Sequence, residues 1–512
     1  MSDQSMKHPP ALWTLFLSEM WERFCYYGMR ALLALFLIES MMKGNKEAFL
    51  IYGAYTALVY AAPILGGRLA DKFLGYQYAI MLGAVLMSIG EFLIVASTDL
   101  LDLDRALRDS LMLIGMGGLI VGNGYFKANI STIVGKLYED GDPRRDSGFT
   151  IFYIGINVGA LLATTVVAVV GKQYGFEYGF GLAGLGMLAG LFIFWSGRKK
   201  YAHVPNIGIT EAGKAKIGLA REINGKINVL GLQTWLAITI GSLLLIPLCY
   251  VLIAQNAWLI YLLIAIFILV VFQLISAGVK EGGVWRDRMI ALTIMMVINI
   301  IFWAAFEQAG TSLTLFAKEN VNRMVGSWEM PATMTQFFNP FFIITFGSLF
   351  SWMWIKLDAI GKNPSIPMKF SYGILQLGAG FLVTLVALNF ANDAFQVPLL
   401  TLVFLYMLHT TGELFLSPIG LSMVTKLAPK NIAGTAMGGW FLSFAMANYL
   451  AGAIATLTGG EGHGGEEVVL TAEQGLHTYV DTFSTLGFVL IGFAVLIALM
   501  SKPLNKLMHG VV

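Results

Sequence analysis

Long apolar runs set the pattern of this chain. A helix needs roughly 20 mainly apolar residues to cross a bilayer. Fourteen stretches reach that length: 11–39, 48–70, 76–98, 110–138, 147–171, 176–197, 231–253, 257–279, 287–312, 331–357, 370–390, 397–427, 430–458 and 476–501. None shows the alternating pattern of about 10 residues that marks a membrane β-strand. The pattern predicts an all-α polytopic membrane protein. The first run follows the polar start MSDQSMKHPP and contains Glu and Arg. It is too long for the apolar core of a signal peptide, so it is expected to persist as a span.

Six runs precede the longest basic loop. A pair follows it, and then six more. This spacing predicts an N-terminal six-helix bundle over 1–197, a cytoplasmic linker over 198–230, an inserted transmembrane hairpin over 231–280, and a C-terminal six-helix bundle over 281–512. Paired bundles are the layout of transporters built from internal repeats. The hairpin has almost no ionisable residue, which suits a lipid-facing or packing accessory.

Composition sharpens this picture. Hydrophobic residues make up 57% and charged residues 12%, with a mean hydropathy of +0.72. Soluble domains carry roughly twice that share of charge, so an ordinary soluble enzyme, a disordered chain and a nucleic-acid binder are excluded. Most of the 33 Lys and Arg fall in alternate loops if the N-terminus is placed inside. The positive-inside rule then puts both termini in the cytoplasm. The two cysteines, Cys25 and Cys249, lie in apolar runs and read as small buried residues.

A charge at mid-bilayer costs roughly 2.5–3.5 kcal/mol on the insertion scale, so it must face water or a partner. Arg23, Arg30 and Lys127 all fall inside runs of the first half. Glu19 and Arg23 are four residues apart, as are Glu22 and Tyr26, so they share a helix face. Glu307 and Glu413 fall inside runs of the second half. A cavity lined by both halves would then be positive on one wall and negative on the other, matching the zwitterionic ends of an amino acid or short peptide. Arg offers a forked donor to a carboxylate, and Glu413 an acceptor for an ammonium. Structural ion pairs locking helices together remain the competing reading, most of all for Glu307, near the outer end of its run.

The segment Glu19-x-x-Glu22-Arg23-Phe24-x-Tyr26-Tyr27-Gly28 resembles the ExxERFxYYG motif of the proton-coupled oligopeptide transporter (POT) family, a branch of the major facilitator superfamily. Three further segments resemble family or superfamily patterns: Phe152-Tyr153-Ile-Gly-Ile-Asn157-Val-Gly159, Gly412-Glu413-Leu-Phe-Leu-Ser417-Pro418-Ile-Gly420, and the loop Gly66-Gly67-Arg68-Leu69-Ala70-Asp71-Lys72. The resemblance covers nearly the whole chain. Bacterial members also carry an extra hairpin between their halves, giving fourteen helices.

The resemblance implies a major facilitator fold and proton-coupled import of di- and tripeptides by alternating access. The implied setting is a multi-pass protein of the bacterial inner (plasma) membrane, with protons as coupling ion and no other cofactor. It assigns proton coupling to Glu19, Glu22, Arg23 and Glu307. The peptide carboxylate goes to Arg30 and Lys127, and the amino terminus to Glu413. Tyr26, Tyr27, Tyr60, Tyr153, Asn157, Trp303, Phe306, Asn339, Ser417 and Trp440 are left for the peptide backbone and side-chain pockets. Another small anion or an amino-acid-like solute is the alternative cargo. The oligomeric state stays open.

Other features are expected to carry no chemistry. Gly115-Met-Gly117-Gly118 and Gly181-Leu-Ala-Gly184-Leu-Gly186 mimic nucleotide loops but sit inside apolar runs, where small residues serve helix packing. His463 lies in a glycine-rich outer loop, and metal binding is not expected there. His409 reads as a satisfied core histidine, and Arg68 with Asp71 as a cytoplasmic latch. No HExxH or GxSxG occurs, so an enzyme is not expected.

Overall fold

Every expected apolar run is a helix in the computed structural model, which describes residues 7–139, 142, 144–202, 229–429, 432–459 and 470–511. Most of the expected linker (203–228) and the core of the outer loop (460–469, with His463) lie outside the described residues. The helices are α1 (Pro10–Glu39), α2 (Asn45–Leu69), α3 (Tyr76–Ala96), α4 (Arg105–Lys136), α5 (Arg144–Tyr174), α6 (Phe176–Tyr201), α7 (Val229–Ala254) and α8 (Asn256–Glu281). They continue with α9 (Gly283–Asn320), α10 (Ala332–Ala359), α11 (Ile366–Phe390), α12 (Leu400–Leu427), α13 (Ala433–Thr458) and α14 (Ala472–Leu507). Among the described residues, 13 of these are long and apolar enough to span a membrane. The fourteenth is α1, whose 30 residues include Glu19, Glu22, Arg23 and Arg30.

Local chemistry sets the helix ends. The Asp104 side chain accepts a hydrogen bond from the Leu107 amide and starts α4, an N-cap that satisfies one of the orphan donors of the first turn. Thr471 and Gln474 form a reciprocal capping box on α14. Gly75 and Gly175 hold φ at 76° and 113° in the tight links α2–α3 and α5–α6, a region that side chains with a Cβ rarely enter. Between α4 and α5, Arg144 donates through its amide and guanidinium to Asp142, which holds that half-buried carboxyl down to about 2. The same guanidinium donates to the Lys7 carbonyl at 2.8 Å, tying the start of α1 to this loop.

The described residues within Met1–Phe36 and Leu58–Gln255 form one compact unit, and those within Leu37–Ala57 and Asn256–Val512 form another. In the first, α3 packs along α4 and α6, and α4 also meets α7. The α3–α4 contact is backbone on backbone. A Cβ on Gly83 would stand 2.5 Å from the Gly122 carbonyl oxygen, and one on Gly90 2.6 Å from that of Gly115. Glycines at positions 115 and 118 therefore face α3, while Gly117 takes Ile246 of α7 at 3.0 Å. This is the small-residue packing of membrane helices. Gly83→Val should lower the melting temperature of the purified protein sharply, because overpacking costs about 1–3 kcal/mol even where side chains can yield and here they meet carbonyls. Scanning fluorimetry reads it.

In the second unit, α11 packs against α12 and α14, α9 against α13, and α10 against α12. The two helices of the expected hairpin fall in different compact units. Helix α7 belongs with α4, where Ser242 meets the Tyr125 hydroxyl. Helix α8 belongs with α9 and α13, where the Tyr449 hydroxyl donates to the Asn256 carbonyl at 3.0 Å. Both keep bare apolar faces, with Leu244, Trp258 and Phe272 each 68–69% exposed. Such faces need lipid around them.

Helix α9 also departs from expectation. It runs well past 312, to Asn320, and is interrupted by a 3₁₀ turn at Glu307–Gly310. Glu307 therefore sits at a break within a long helix. The latch expected from Arg68 and Asp71 does not form. Asp71 instead accepts a hydrogen bond from the Tyr76 hydroxyl at 2.7 Å, and no ion pair joins it to Arg68 among the described residues.

Candidate transport site

The first cluster is built on one face of α1. Arg23 Nε lies 2.9 Å from Glu19 Oε1 and 2.5 Å from Glu22 Oε2. All three side chains are at most 3% exposed. Helical spacing makes the Glu19–Arg23 pair automatic. The α4 side chains complete the cluster. Asn123 Nδ2 donates to Glu22 Oε1 at 2.8 Å. One turn further on, Lys127 Nζ stands 4.4 Å from the centre of the Tyr60 ring, a cation–π contact. Glu19, Glu22, Arg23 and Arg30 all interact electrostatically with Lys127. Two carboxylates and three cations thus share this cluster.

Tyr26 and Tyr27 pack edge to face, and the Arg23 guanidinium carbon sits 5.7 Å from the Tyr26 ring centre. Arg30 is buried. On α5 the Asn157 amide donates to the Tyr153 carbonyl, while Tyr153 itself is exposed. Gly159 explains part of the α5 motif. A Cβ there would stand 3.0 Å from Arg23 Cβ and would collide with the Met20 carbonyl. The glycine lets α5 lie directly on the turn of α1 that carries the charges.

The second cluster lies on α10 and α12. Asn339 Nδ2 donates to Glu413 Oε2 at 2.9 Å and to Thr410 Oγ1 at 3.1 Å. Glu413 is 8% exposed, and among the described residues no cation is within ion-pair distance of it. Ser417 is half-buried one turn further along α12. His409 points elsewhere. Its ring lies 4.5 Å from that of Phe381 in the core, but its Nε2 is buried with no hydrogen-bond partner among the described residues, so it is not the fully satisfied histidine expected. Trp303 and Phe306 pack at 5.0 Å, and Phe444 bridges Trp303 at 5.1 Å to Trp440 at 6.2 Å. The expected pocket aromatics of this unit therefore form one cluster. Glu307 is buried at the α9 break.

Two participants escaped the sequence reading. Asn123 is a neutral residue in a helix full of glycine, and only the fold shows it holding Glu22. Glu91 of α3 is fully buried, accepts from the Cys25 thiol at 3.3 Å, and makes no ion pair among the described residues. An acid in an apolar run was the available signal. Among the described residues no group of His, Cys, Asp and Glu could hold a metal.

Comparison with known proteins bears on this arrangement directly. The family model described as "POT family" matches residues 77–463. The chain belongs to the POT family. It is accordingly a multi-pass membrane transporter and not an enzyme. It is 34% identical to the peptide transporter YePEPT of Yersinia enterocolitica, over 98% of this chain and 96% of that one. It is 31% identical to dipeptide and tripeptide permease B of Aliivibrio fischeri, over 98% and 96%. A crystal structure of a POT peptide transporter in complex with sulfate superposes with a TM-score of 0.79 at 31% identity, covering 99% of this chain and 97% of that one. A POT family transporter crystallised with 5-aminolevulinic acid gives 0.77 at 29% identity, covering 98% of each. The fold is thus the fourteen-helix major facilitator type expected from the sequence.

Proposed function

We propose that this POT family member imports di- and tripeptides with protons by alternating access across the inner membrane of a bacterium, with both termini cytoplasmic. One observation carries the reading. Glu413 is a buried carboxylate that, among the described residues, is held by the neutral Asn339 amide, with no cation in ion-pair distance. A buried charge kept without a counter-charge is expensive, and a ligand ammonium is the partner Glu413 lacks. Arg30 and Lys127 take the peptide carboxylate, and Asn157 and Asn339 the backbone. The permease and peptide transporter names of the relatives support this assignment.

Proton coupling follows from the Arg23 pair. A proton on Glu22 or Glu19 removes one of its two counter-charges and releases part of its hold. The freed donor is then available to other partners, so proton load and helix pairing are linked. Uptake of a labelled dipeptide into proteoliposomes, with and without an inward proton gradient, tests the proposal. Accumulation above equilibrium only with the gradient is expected. The complex of a family member with 5-aminolevulinic acid, which has one amine and one carboxylate, favours an amino-acid-like solute as second reading. Inhibition by that acid without inhibition by dialanine would select it.

A further inference from the structure

The second unit has another concave feature, away from Glu413. A crevice of about 350 Å³ opens between α10, α11 and α12. Its walls are apolar: Met353, Trp354 and Leu357 of α10, Leu375 of α11 and Phe415 of α12. Phe415 is two residues from Glu413, so it leaves α12 on a different face from the carboxylate. Trp354 and Phe415 meet edge to face at 5.2 Å, and Tyr372 meets Phe415 at 6.0 Å. The volume falls in the range of small-molecule pockets.

A cation sits against one wall of the crevice, Trp354. Lys369, in the first turn of α11, holds its Nζ 4.6 Å from the centre of the Trp354 ring. Its side chain is 8% exposed, yet among the described residues it makes neither an ion pair nor a hydrogen bond. Lys426 and Asp358 are its charged electrostatic neighbours. Lys356 and Lys362 flank the same α10–α11 turn and are exposed. A buried lysine with no ion pair among the described residues, beside an aromatic groove, is half of a recognition site. The missing half is an anion attached to an apolar chain.

We propose that this crevice binds one anionic phospholipid, with an acyl chain along Trp354 and Phe415 and the phosphate at Lys369. Charge complementarity decides the occupant. A zwitterionic lipid offers the same phosphate but brings a cationic choline beside Lys369, Lys356 and Lys362, whereas basic pockets between membrane helices suit headgroups with net negative charge. The site is separate from the one proposed for peptide, and none of its residues is assigned a part in transport.

Native mass spectrometry of the full chain, titrated with phosphatidylglycerol or phosphatidylcholine of identical chains, tests this. Wild type should retain phosphatidylglycerol preferentially. Lys369→Gln should weaken it about fivefold, the effect of one surface charge on lipid binding, and weaken phosphatidylcholine less. Lys369→Arg should restore the preference, and Leu375→Trp, which fills the groove, should weaken both lipids. Glycerol 3-phosphate should not compete. Equal retention of the two lipids, no change in Lys369→Gln, or displacement by glycerol 3-phosphate would each overturn the proposal. If Lys369→Gln fails to fold, wild type, the Arg variant and Leu375→Trp still decide it.

Discussion

Proton-driven dipeptide uptake is expected to fall to background in Glu22→Gln, while exchange of labelled for unlabelled peptide without a gradient persists. Glu22 is fully buried, and its oxygens are divided between Asn123 and Arg23. Glutamine has the same shape and can still accept from Asn123. Its amide then faces the Arg23 Nε donor to donor, at a cost of about 1–3 kcal/mol, so a modest drop in melting temperature should accompany the change. Exchange needs only binding and reorientation. Accumulation needs the proton to alter the hold on Arg23. If Glu22→Gln concentrates peptide as wild type does, the coupling role is wrong. Glu19→Gln provides the comparison, since Glu19 touches Arg23 but lacks the Asn123 contact in the present geometry.

Glu413→Gln should weaken dipeptide binding by about 30-fold or more, because breaking a buried charge pair typically costs about 2–5 kcal/mol. The amide preserves an acceptor for Asn339 and removes only the charge. Calorimetry on purified protein reads the affinity. An N-acetylated dipeptide, which has no ammonium, supplies the control. Wild type and Glu413→Gln should bind it alike. An equal loss for the free and the acetylated peptide would mean that Glu413 shapes the site and does not meet the amino terminus.

Much of this molecule could be read from its sequence, for an energetic reason. Charges in apolar runs are costly enough that Glu19, Glu22, Arg23, Arg30, Lys127 and Glu413 stand out, and helical spacing alone places Arg23 on Glu19. The fourteen spans follow from length and polarity. What stayed hidden depends on contacts between distant segments. Asn123 is neutral and unremarkable until α4 lies beside α1. The glycines of 115–118 mark a packing face, but which neighbour each one meets emerges only with the fold. The packing of α7 on α4, that of α8 on α9 and α13, and the break at Glu307 reflect tertiary choices. Asp71 prefers a tyrosine hydroxyl five residues on, where the nearby arginine was the obvious charge partner.

The missing side chain at Gly159 has a mechanical consequence. With no methyl to act as a cushion, α5 rests directly on the turn of α1 that bears Arg23, and the two cannot slide independently over that stretch. A change of charge at the arginine is then felt as force on two rods at once. Lengthening residue 159 by one carbon should loosen this gearing before it alters any ligand contact, so transport would slip, with protons and cargo crossing out of step.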